Sequence, residues 1–388
     1  MTVLQAPRPV PSGVDDGSAR AVVPPDVPSK RVRWAPGTGW EVGGSLAASA
    51  CLVVVAFQVA SARPIGGMIA CMAVAFMVIF GALTRVRHGV RAAKDRLATV
   101  AIWVGASIAL FPLVEIIISV VVQGAPVVFS HFPAFLVHDM STAAPSDPVW
   151  KGGMGHAIVG TIEQVGLATL YTVPVSILTA TYLSESSSVF SRLVRTIVDS
   201  MMGTPSIIAG IFVYLFWVQP RGSSGFSGFA ASVALAILML PVMIRTAEEV
   251  IRVVPGTLRE AALAMGSPRW RVSLQIVLPT VRSGLLTAVI LGVALAVGET
   301  APALFTAHGS ARYNFNPFSG PQANLPLQAF QTILSPNSNQ VRDGWGGAFI
   351  LVSMVITLFI GARLIGSTRP GQRRFRIIRR TTKEAVVS

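Results

Sequence analysis

Charge is scarce in this sequence. Only 12% of its 388 residues are Asp, Glu, Lys or Arg, about half the share of a soluble domain. A soluble chain of this length would be two or three domains, and the composition argues against that. Acidic residues are the scarcer sign, 17 against 31 Lys and Arg, which leaves a formal charge of +14. Such an excess points to nucleic acid only where the basic residues form one patch on soluble elements. Here they sit between apolar runs, and nucleic acid is excluded as a partner. Cysteine is nearly absent. Cys51 and Cys71 lie inside apolar runs with no His beside them, so neither a disulfide framework nor a metal site is read from them. A G-x-x-x-x-G-K-[ST] phosphate loop is missing, as are paired His–carboxylate ligands and a Ser–His–Asp set, so a membrane enzyme has no support. "GGMGHAIVG" (152–160) is only glycine spacing at the entrance to an apolar run.

What the chain has in abundance is apolar sequence, 52% of its residues. It falls into eight runs, about 44–62, 65–84, 97–122, 156–183, 203–219, 227–246, 283–307 and 346–366. A helix needs ~20 residues to cross the ~30 Å hydrocarbon layer, and most runs meet that length. Run 203–219 is short, and the amphipathic "SRLVRTIVDSMM" before it is expected to extend it. An all-α integral membrane protein of about eight transmembrane helices is therefore predicted. Residues 1–43 are rich in Pro, Gly, Ser and charge, bury too little apolar surface to fold, and read as a disordered tail. No hydrophobic stretch opens the chain, so no cleaved signal peptide is expected.

Lys and Arg set the orientation. With loops assigned alternately to two sides, all but Arg63, Lys151, Arg221, Arg312 and Arg342 of the 31 fall on one side. That side holds the tail, 85–96 ("RVRHGVRAAKDR"), 184–202, 245–282 and the C-terminal "RPGQRRFRIIRR". The asymmetry predicts a multi-pass plasma-membrane protein with both termini in the cytoplasm. The outer loops near 123–153 and 308–345 are longer and poor in charge. His131, His138 and Asp139 in the first lack metal-ligand spacing and read as loop residues.

The stretch "REAALAMGSPRWRVSLQIVLP" (259–279) interrupts this pattern. Thr257 to Glu260 reads T-x-x-E, a capping box. Leu258, Ala261, Ala262 and Met265 follow at one-face spacing. Gly266 supplies a left-handed stop, Ser267 is expected to recap, and Pro268 fits the first position of a second helix. Trp270, Leu274 and Val277 are expected to share a face, with Pro279 near the end. The segment is thus read as two short amphipathic helices joined at a sharp bend on the cytoplasmic side. Lying on lipid headgroups, held by Arg269 and Arg271, is one use for such a pair. The small Ala-Ala face and fixed Gly suit docking to another protein better.

Here a resemblance enters. Glu260-Ala261-Ala262, three residues, Gly266, nine residues, then Ile276-x-Leu278-Pro279 resembles the EAA loop of ABC importer permeases, spanning 257–279. "GETAPALFTA" (298–307), "NPFSGPQANLPLQAF" (316–330), "TPSIIAGIFVY" and "MIRTAEEVIRVVP" narrow it, resembling phosphate-specific permeases of the PstA kind over roughly 97–366. The resemblance implies a six-helix type I permease core that passes inorganic phosphate inward by alternating access. It implies a second permease (PstC-like), two copies of an ATPase (PstB-like) and an extracellular or periplasmic phosphate-binding protein (PstS-like). Glu260, Ala261, Ala262 and Gly266 would make the ATPase contact. No cofactor is expected in this chain, since ATP and Mg would be bound by the ATPase. Residues 44–96, an extra hairpin and basic loop, fall outside the family pattern, and 367–388 is a basic tail. Gly44 and Ala48 offer close helix packing in that hairpin.

Pro112, Pro174, Pro205, Pro241 and Pro302 place one proline in each of five consecutive spans. Interior prolines bend helices, and such breaks often line a transport path. Carboxylates inside spans are functional candidates: Glu115, Glu163 and Glu299. Three accounts fit them: pairing with basic residues of the partner permease, protonation by burial, or acceptance of the proton that phosphate still carries. Glu299, beside Thr300 and before Pro302, is the chosen pathway residue, with bracing of a helix junction as its alternative. Glu115 is not assigned to the path. The family reading puts Arg245 and Glu248 near the inner gate, where a guanidinium matches phosphate oxygens. Thr204 and Ser206 flank Pro205 and either offer hydroxyls to an oxyanion or bond back to helix carbonyls, and back-bonding is the expectation preferred. A permease for sulfate, molybdate or a phosphonate, or a non-transporting membrane scaffold, are the competing functions.

Overall fold

The computed structural model describes residues 38–59, 65–144 and 146–367. The predicted tails lie outside these up to residue 37 and beyond residue 367, as does Arg63. Among the described residues all regular structure is helical, apart from one bridge between His308 and Gln322. The chain divides into two compact units, 1–111 and 112–388.

In the first unit α1 (Thr38–Val59) begins six residues before the predicted run. Its inward stripe is Ser45, Ser49 and Val53 at i, i+4, i+8, one helix face. Gly44 and Ala48 are exposed, and nothing lies within 4 Å of where a Cβ on Gly44 would stand. Among the described residues of this unit the close packing expected of that pair is therefore absent, and the neighbouring serines face inward instead. α2 (Ile65–Ser130) contains the predicted runs 65–84 and 97–122. Its 66 residues would measure ~100 Å if straight, three times the hydrocarbon thickness. Gly89 resolves this. Its backbone is non-helical (φ 85, ψ 172), in the middle of the basic stretch 85–96. Leu97 side-chain atoms lie 2.9 Å from a Cβ built on Gly81, residues that a continuous helix would separate by ~24 Å. The chain therefore turns back on itself at Gly89.

The second unit takes the end of α2, then α3 (Ala134–Val137), α4 (Gly155–Glu185), α5 (Val189–Met202) and α6 (Ser206–Val213). α7 (Gly228–Arg252), α8 (Gly256–Ala264), α9 (Arg269–Val272), α10 (Leu278–Thr280) and α11 (Arg282–Gly298) follow, and α12 (Ala301–Thr306), α13 (Leu325–Ile333) and α14 (Ser338–Ser367) close it. α7 is its axis. It packs on α4, α5, α6, α11 and α12, and 67% of its most apolar stretch is buried, against 28% or less in the other long apolar helices. Ala230, Ala231, Ser232, Ala234 and Ala236 keep it thin, and small residues let neighbours approach closely. α11 crosses it at two glycines. A Cβ on Gly284 would stand 2.5 Å from Val250, and one on Gly292 2.5 Å from Met243.

Four helical stretches are long and apolar enough to cross a membrane: Gly155–Glu185, Gly228–Arg252, Ser338–Leu364 and Cys71–Ser130, the last of which contains the reversal at Gly89 and is therefore not a single straight span. Two bent pairs raise the number to as many as six. One of these corrects the expectation for 203–219. α5 does not extend that run in line, because the chain bends by 104° between Met202 and Ser206, where Pro205 is extended (φ −59, ψ 137). Pro205 and Pro302 are thus not interior kinks. Each stands at the start of a helix, where a proline costs no hydrogen bond. Pro112, Pro174 and Pro241 are interior, as predicted.

Gly160 offers a packing test. A Cβ there would stand 1.9 Å from the Ala323 carbonyl oxygen, whereas Gly166 on the same helix meets nothing within 4 Å. Gly160→Ala should destabilise the second unit by about 1–3 kcal/mol, read as a lower thermal midpoint of the purified protein. Gly166→Ala should leave the midpoint unchanged or slightly raised. Equal midpoints for the two variants would refute the contact.

Candidate functional site

The bend predicted in 257–279 is present, and its chemistry differs in detail. Pro255 stands at the N-cap of α8 and no side chain caps that helix. Thr257 lies inside the helix instead of flanking it, so the T-x-x-E box does not form. At the other end the stop is a complete Schellman motif. Gly266 has φ +80, Ser267 N–H donates to Ala262 O at 3.4 Å and Gly266 N–H to Leu263 O at 2.9 Å. Ser267 does not recap. Pro268 is itself the N-cap of α9, one position earlier than expected. A π-helical turn, Ser273–Val277, links α9 to α10. The wider turn rotates the following residues, and Val277 is buried while Trp270 and Leu274 are exposed.

Only part of the elbow faces inward. Ala262, Val272 and Val277 join a core with Ala180, Leu183, Val198, Ile251 and Val254. Leu258, Leu263, Met265 and Trp270 are exposed at 40%, 40%, 86% and 60%, and Glu260, Ala261 and Gly266 are exposed with them. The predicted face of Leu258, Ala261, Ala262 and Met265 is therefore divided. Ala262 seats the elbow and the rest remain uncovered.

Beneath the elbow lies a buried carboxylate. Glu248 on α7 is 1% exposed and meets three guanidiniums. Arg252 lies at 2.6 Å, Arg195 of α5 at 2.8 Å and Arg245 at 3.3 Å. Arg195 also donates to the Leu183 carbonyl at 3.1 Å. Arg259 of α8 donates to Ile251 O at 3.0 Å and lies 3.6 Å from Glu185. The network ties α4, α5, α7 and the elbow together. Arg245, 37% exposed at its side chain, is held least closely, with Asp199 and Glu249 each at 3.9 Å. Glu248 already has two shorter partners, so Arg245 can leave it at small cost.

One face of α7 carries Leu238, Pro241, Val242 and, one turn on, Arg245. The first three line a cavity of about 250 Å³. Its polar lining is Thr204, Ser206 and Glu299, and Met201, Met202 and Leu295 complete the wall. Glu299 stands where the predicted run 283–307 breaks between α11 and α12, its backbone extended (φ −79, ψ 124). Ser206 is the polar neighbour of its carboxyl. Among the described residues neither Thr204 nor Ser206 bonds back to a helix carbonyl, which reverses the expectation for both; each faces the cavity. Thr300 is the N-cap of α12 and is not part of the lining.

The other two carboxylates of the spans are engaged elsewhere. Glu115 is exposed and meets Ser119 at 3.3 Å. Glu163 accepts from the Gln322 amide. Gln164 donates to Gln322 and the Ala323 carbonyl at 3.2 and 3.1 Å, and Thr161 accepts from Leu325 N–H at 2.7 Å. This N-terminal part of α4 thus braces the 308–324 loop. Beside it, burial opposes ionisation of Asp139, and the side-chain and backbone hydrogen bonds of Ser141 outweigh it, holding the carboxyl below its usual range. Burial and the Asp139 charge push the Tyr313 hydroxyl up. Arg195 and Gln322 carry no signal in the sequence, and sequence reasoning ranks the offer of the Thr204 and Ser206 hydroxyls to an oxyanion below back-bonding, whereas both line the cavity. For Glu248 and Arg252 the i, i+4 spacing was a signal.

Comparison with known proteins now bears on these features. Residues 172–367 match the family described as binding-protein-dependent transport system inner membrane component. The chain is 35% identical over 298 residues to the phosphate transport system permease protein PstA 1 of Mycobacterium tuberculosis, covering 76% of this chain and 94% of that one. It is 36% identical to PstA of Mycobacterium leprae (72% and 91% covered) and 36% to PstA of Haemophilus influenzae (68% and 90%).

The buried carboxylate makes a second prediction. Glu248→Gln removes the charge that three guanidiniums share and should cost about 1–3 kcal/mol. That lies below the 3–5 kcal/mol of a fully dry pair because the arginines keep contact with solvent. Glu249→Gln, 71% exposed at the side chain, should cost less than about 0.5 kcal/mol. Thermal midpoints of the two variants decide; parity between them would show that Glu248 is not the hub.

Proposed function

The chain belongs to the family of binding-protein-dependent transport system inner membrane components, and on that premise we infer that it is the permease subunit of an ATP-driven phosphate importer. The similarity to PstA permeases over 94% of a relative's length carries this reading. The exposed elbow at Gly266 supports it, because a transporter whose sequence lacks a phosphate loop needs a separate motor and a place to receive it.

The assembly proposed is one copy of this chain, a PstC-like permease, two PstB-like ATPases and a PstS-like binding protein. ATP and Mg are bound by the ATPase. Both termini face the cytoplasm, in accord with the segregation of Lys and Arg. Glu260, Ala261 and Gly266, with the exposed apolar residues around them, meet the ATPase, and Ala262 fixes the elbow from beneath. Nucleotide-driven movement of the ATPase pushes on the elbow. The charge network of Glu248 passes that push to α5 and α7, which flank the cavity. Phosphate passes Glu299 and is handed to Arg245, whose planar guanidinium matches two phosphate oxygens. Thr300 stays with the path as the residue beside Glu299 at the helix break. Outward and inward opening then alternate about α7.

Two measurements test the reading. In cells lacking their own high-affinity system, labelled phosphate uptake should require this chain along with its cognate permease, ATPase and binding protein, and should resist excess sulfate. Phosphate uptake that is indifferent to the chain, in a complex shown to assemble and hydrolyse ATP, would move the cargo to another solute. Separately, Gly266→Pro and Glu260→Lys should leave membrane insertion intact. Proline cannot adopt φ +80, and loss of a docking hot spot of about 2 kcal/mol is about thirtyfold in affinity. Transport-coupled ATP hydrolysis should therefore be lost in both, and hydrolysis at the wild-type rate in either would sink the docking role.

A further inference from the structure

We propose that Glu299, with Thr204 and Ser206, forms a filter that admits an oxyanion only if it carries a proton. The inference rests on the phosphate-permease reading above and adds a determinant of selectivity within this chain.

The cavity poses a problem that the filter resolves. Its lining contains no Lys or Arg, yet the cargo is an anion. An ionised carboxylate is acceptor-only, whereas a hydroxyl can donate or accept. Glu299 therefore offers lone pairs, and Thr204 and Ser206 offer O–H groups, around one space of about 250 Å³. Water's share of the liquid is ~30 Å³ per molecule, so a tetrahedral oxyanion fits with a few waters. Phosphate near neutral pH has both kinds of group. Its P–OH donates to the Glu299 carboxylate in place of the Ser206 hydroxyl that otherwise meets it, and its ionised oxygens accept from the freed Ser206 and from Thr204. Sulfate at that pH has acceptors only. Placed here, it sets its own lone pairs against those of Glu299, with no proton between two negative groups.

The cost of such a mismatch in a partly dry site is large. A site built to hydrogen-bond one substrate group rejects an analogue lacking it by as much as 10⁴-fold, because the buried partner is left unpaired. Glu299 is the one in-span carboxylate of the three left for this task. Glu163 is taken by Gln322, and Glu115 faces outward beside Ser119. The backbone holds it in place: Glu299 is extended between two helices, and Thr204 and Ser206 flank Pro205 at the 104° bend. Two helix breaks therefore present their side chains to the same space. Arg245, one turn further along the lining face of α7, supplies the positive charge that draws the anion onward. No proton is transferred in this scheme; the P–OH hydrogen bond forms on entry and breaks on exit.

The test uses the assembled permease–ATPase complex in lipid nanodiscs, without the binding protein, so that selectivity cannot come from that subunit. Retention of labelled inorganic phosphate is measured against rising sulfate, and against arsenate, which is protonated like phosphate. The wild-type complex should lose phosphate to arsenate and not to sulfate. In Glu299→Gln the amide adds a donor and removes the charge, and sulfate should compete about tenfold better or more. An unchanged preference in Glu299→Gln would overturn the filter, because glutamine mimics a protonated carboxyl and its neutrality would mean that Glu299 is never the acceptor. Should Glu299→Gln fail to assemble, Ser206→Ala serves: phosphate retention should fall several-fold while sulfate stays excluded. Undiminished retention in that variant, or no phosphate retained by the wild-type complex, would equally overturn the filter. The permease reading fails separately, when whole-cell phosphate uptake does not require the wild-type chain.

Discussion

α7 carries small residues along its sides and is pressed on by five other helices, which small side chains allow to come close. A helix of that kind has no lipid-facing stripe to orient it; its neighbours do so instead. α4 and α11 approach through glycine and alanine contacts, and α5, α6 and α12 close the remaining sides. The two helix breaks, at 203–205 and 299–300, follow from this crowding. Backbone without helical hydrogen bonds is tolerated at membrane depth only where protein or a watery cavity receives it, and both breaks open toward the face of α7 that carries Pro241. Near the end of the same helix stands the buried Glu248, met by three arginines. Cavity, brace and elbow are thus successive levels of one axis.

The helical architecture was legible because apolar run length is a strong signal. The turn at Gly89 was legible too, through the basic stretch that separates two runs. The elbow was readable from Gly266 and Pro268, since few residues accept a positive φ or forgo a backbone donor. Its caps were misread because Pro255 takes the N-cap that Thr257 suggested, and because one π turn shifts the residues after it. Glu299 was recognised as a costly residue, and its position at a helix break explains why it is tolerated there.

Long-range partnerships had no sequence signature. Arg195 and Glu248 are 53 residues apart, and Glu163 and Gln322 are 159 apart. No periodicity links them, and only the packing of α5 on α7 and of the 308–324 loop on α4 brings them together. The bend before Ser206 was hidden for a related reason. An amphipathic stretch followed by an apolar one has the right length for a single span, and Pro205 alone does not say whether the chain kinks or turns a corner. Thr204 and Ser206 fall on that corner, which is why their hydroxyls face a cavity and not the helix carbonyls of an unbroken span.

The uncovered part of the elbow has a consequence for the life of the protein in a cell. Leu258, Leu263, Met265 and Trp270 stand in water until something covers them, at a cost of about 25 cal/mol for each Å² of apolar surface. Contiguous surface of that kind is what chaperones and quality-control proteases recognise. A copy synthesised without its companion is therefore conspicuous, and one that has found it is not. On the reading proposed above, the surface that receives the motor would also report whether assembly is complete, and the abundance of this chain would follow the supply of whatever closes over Gly266.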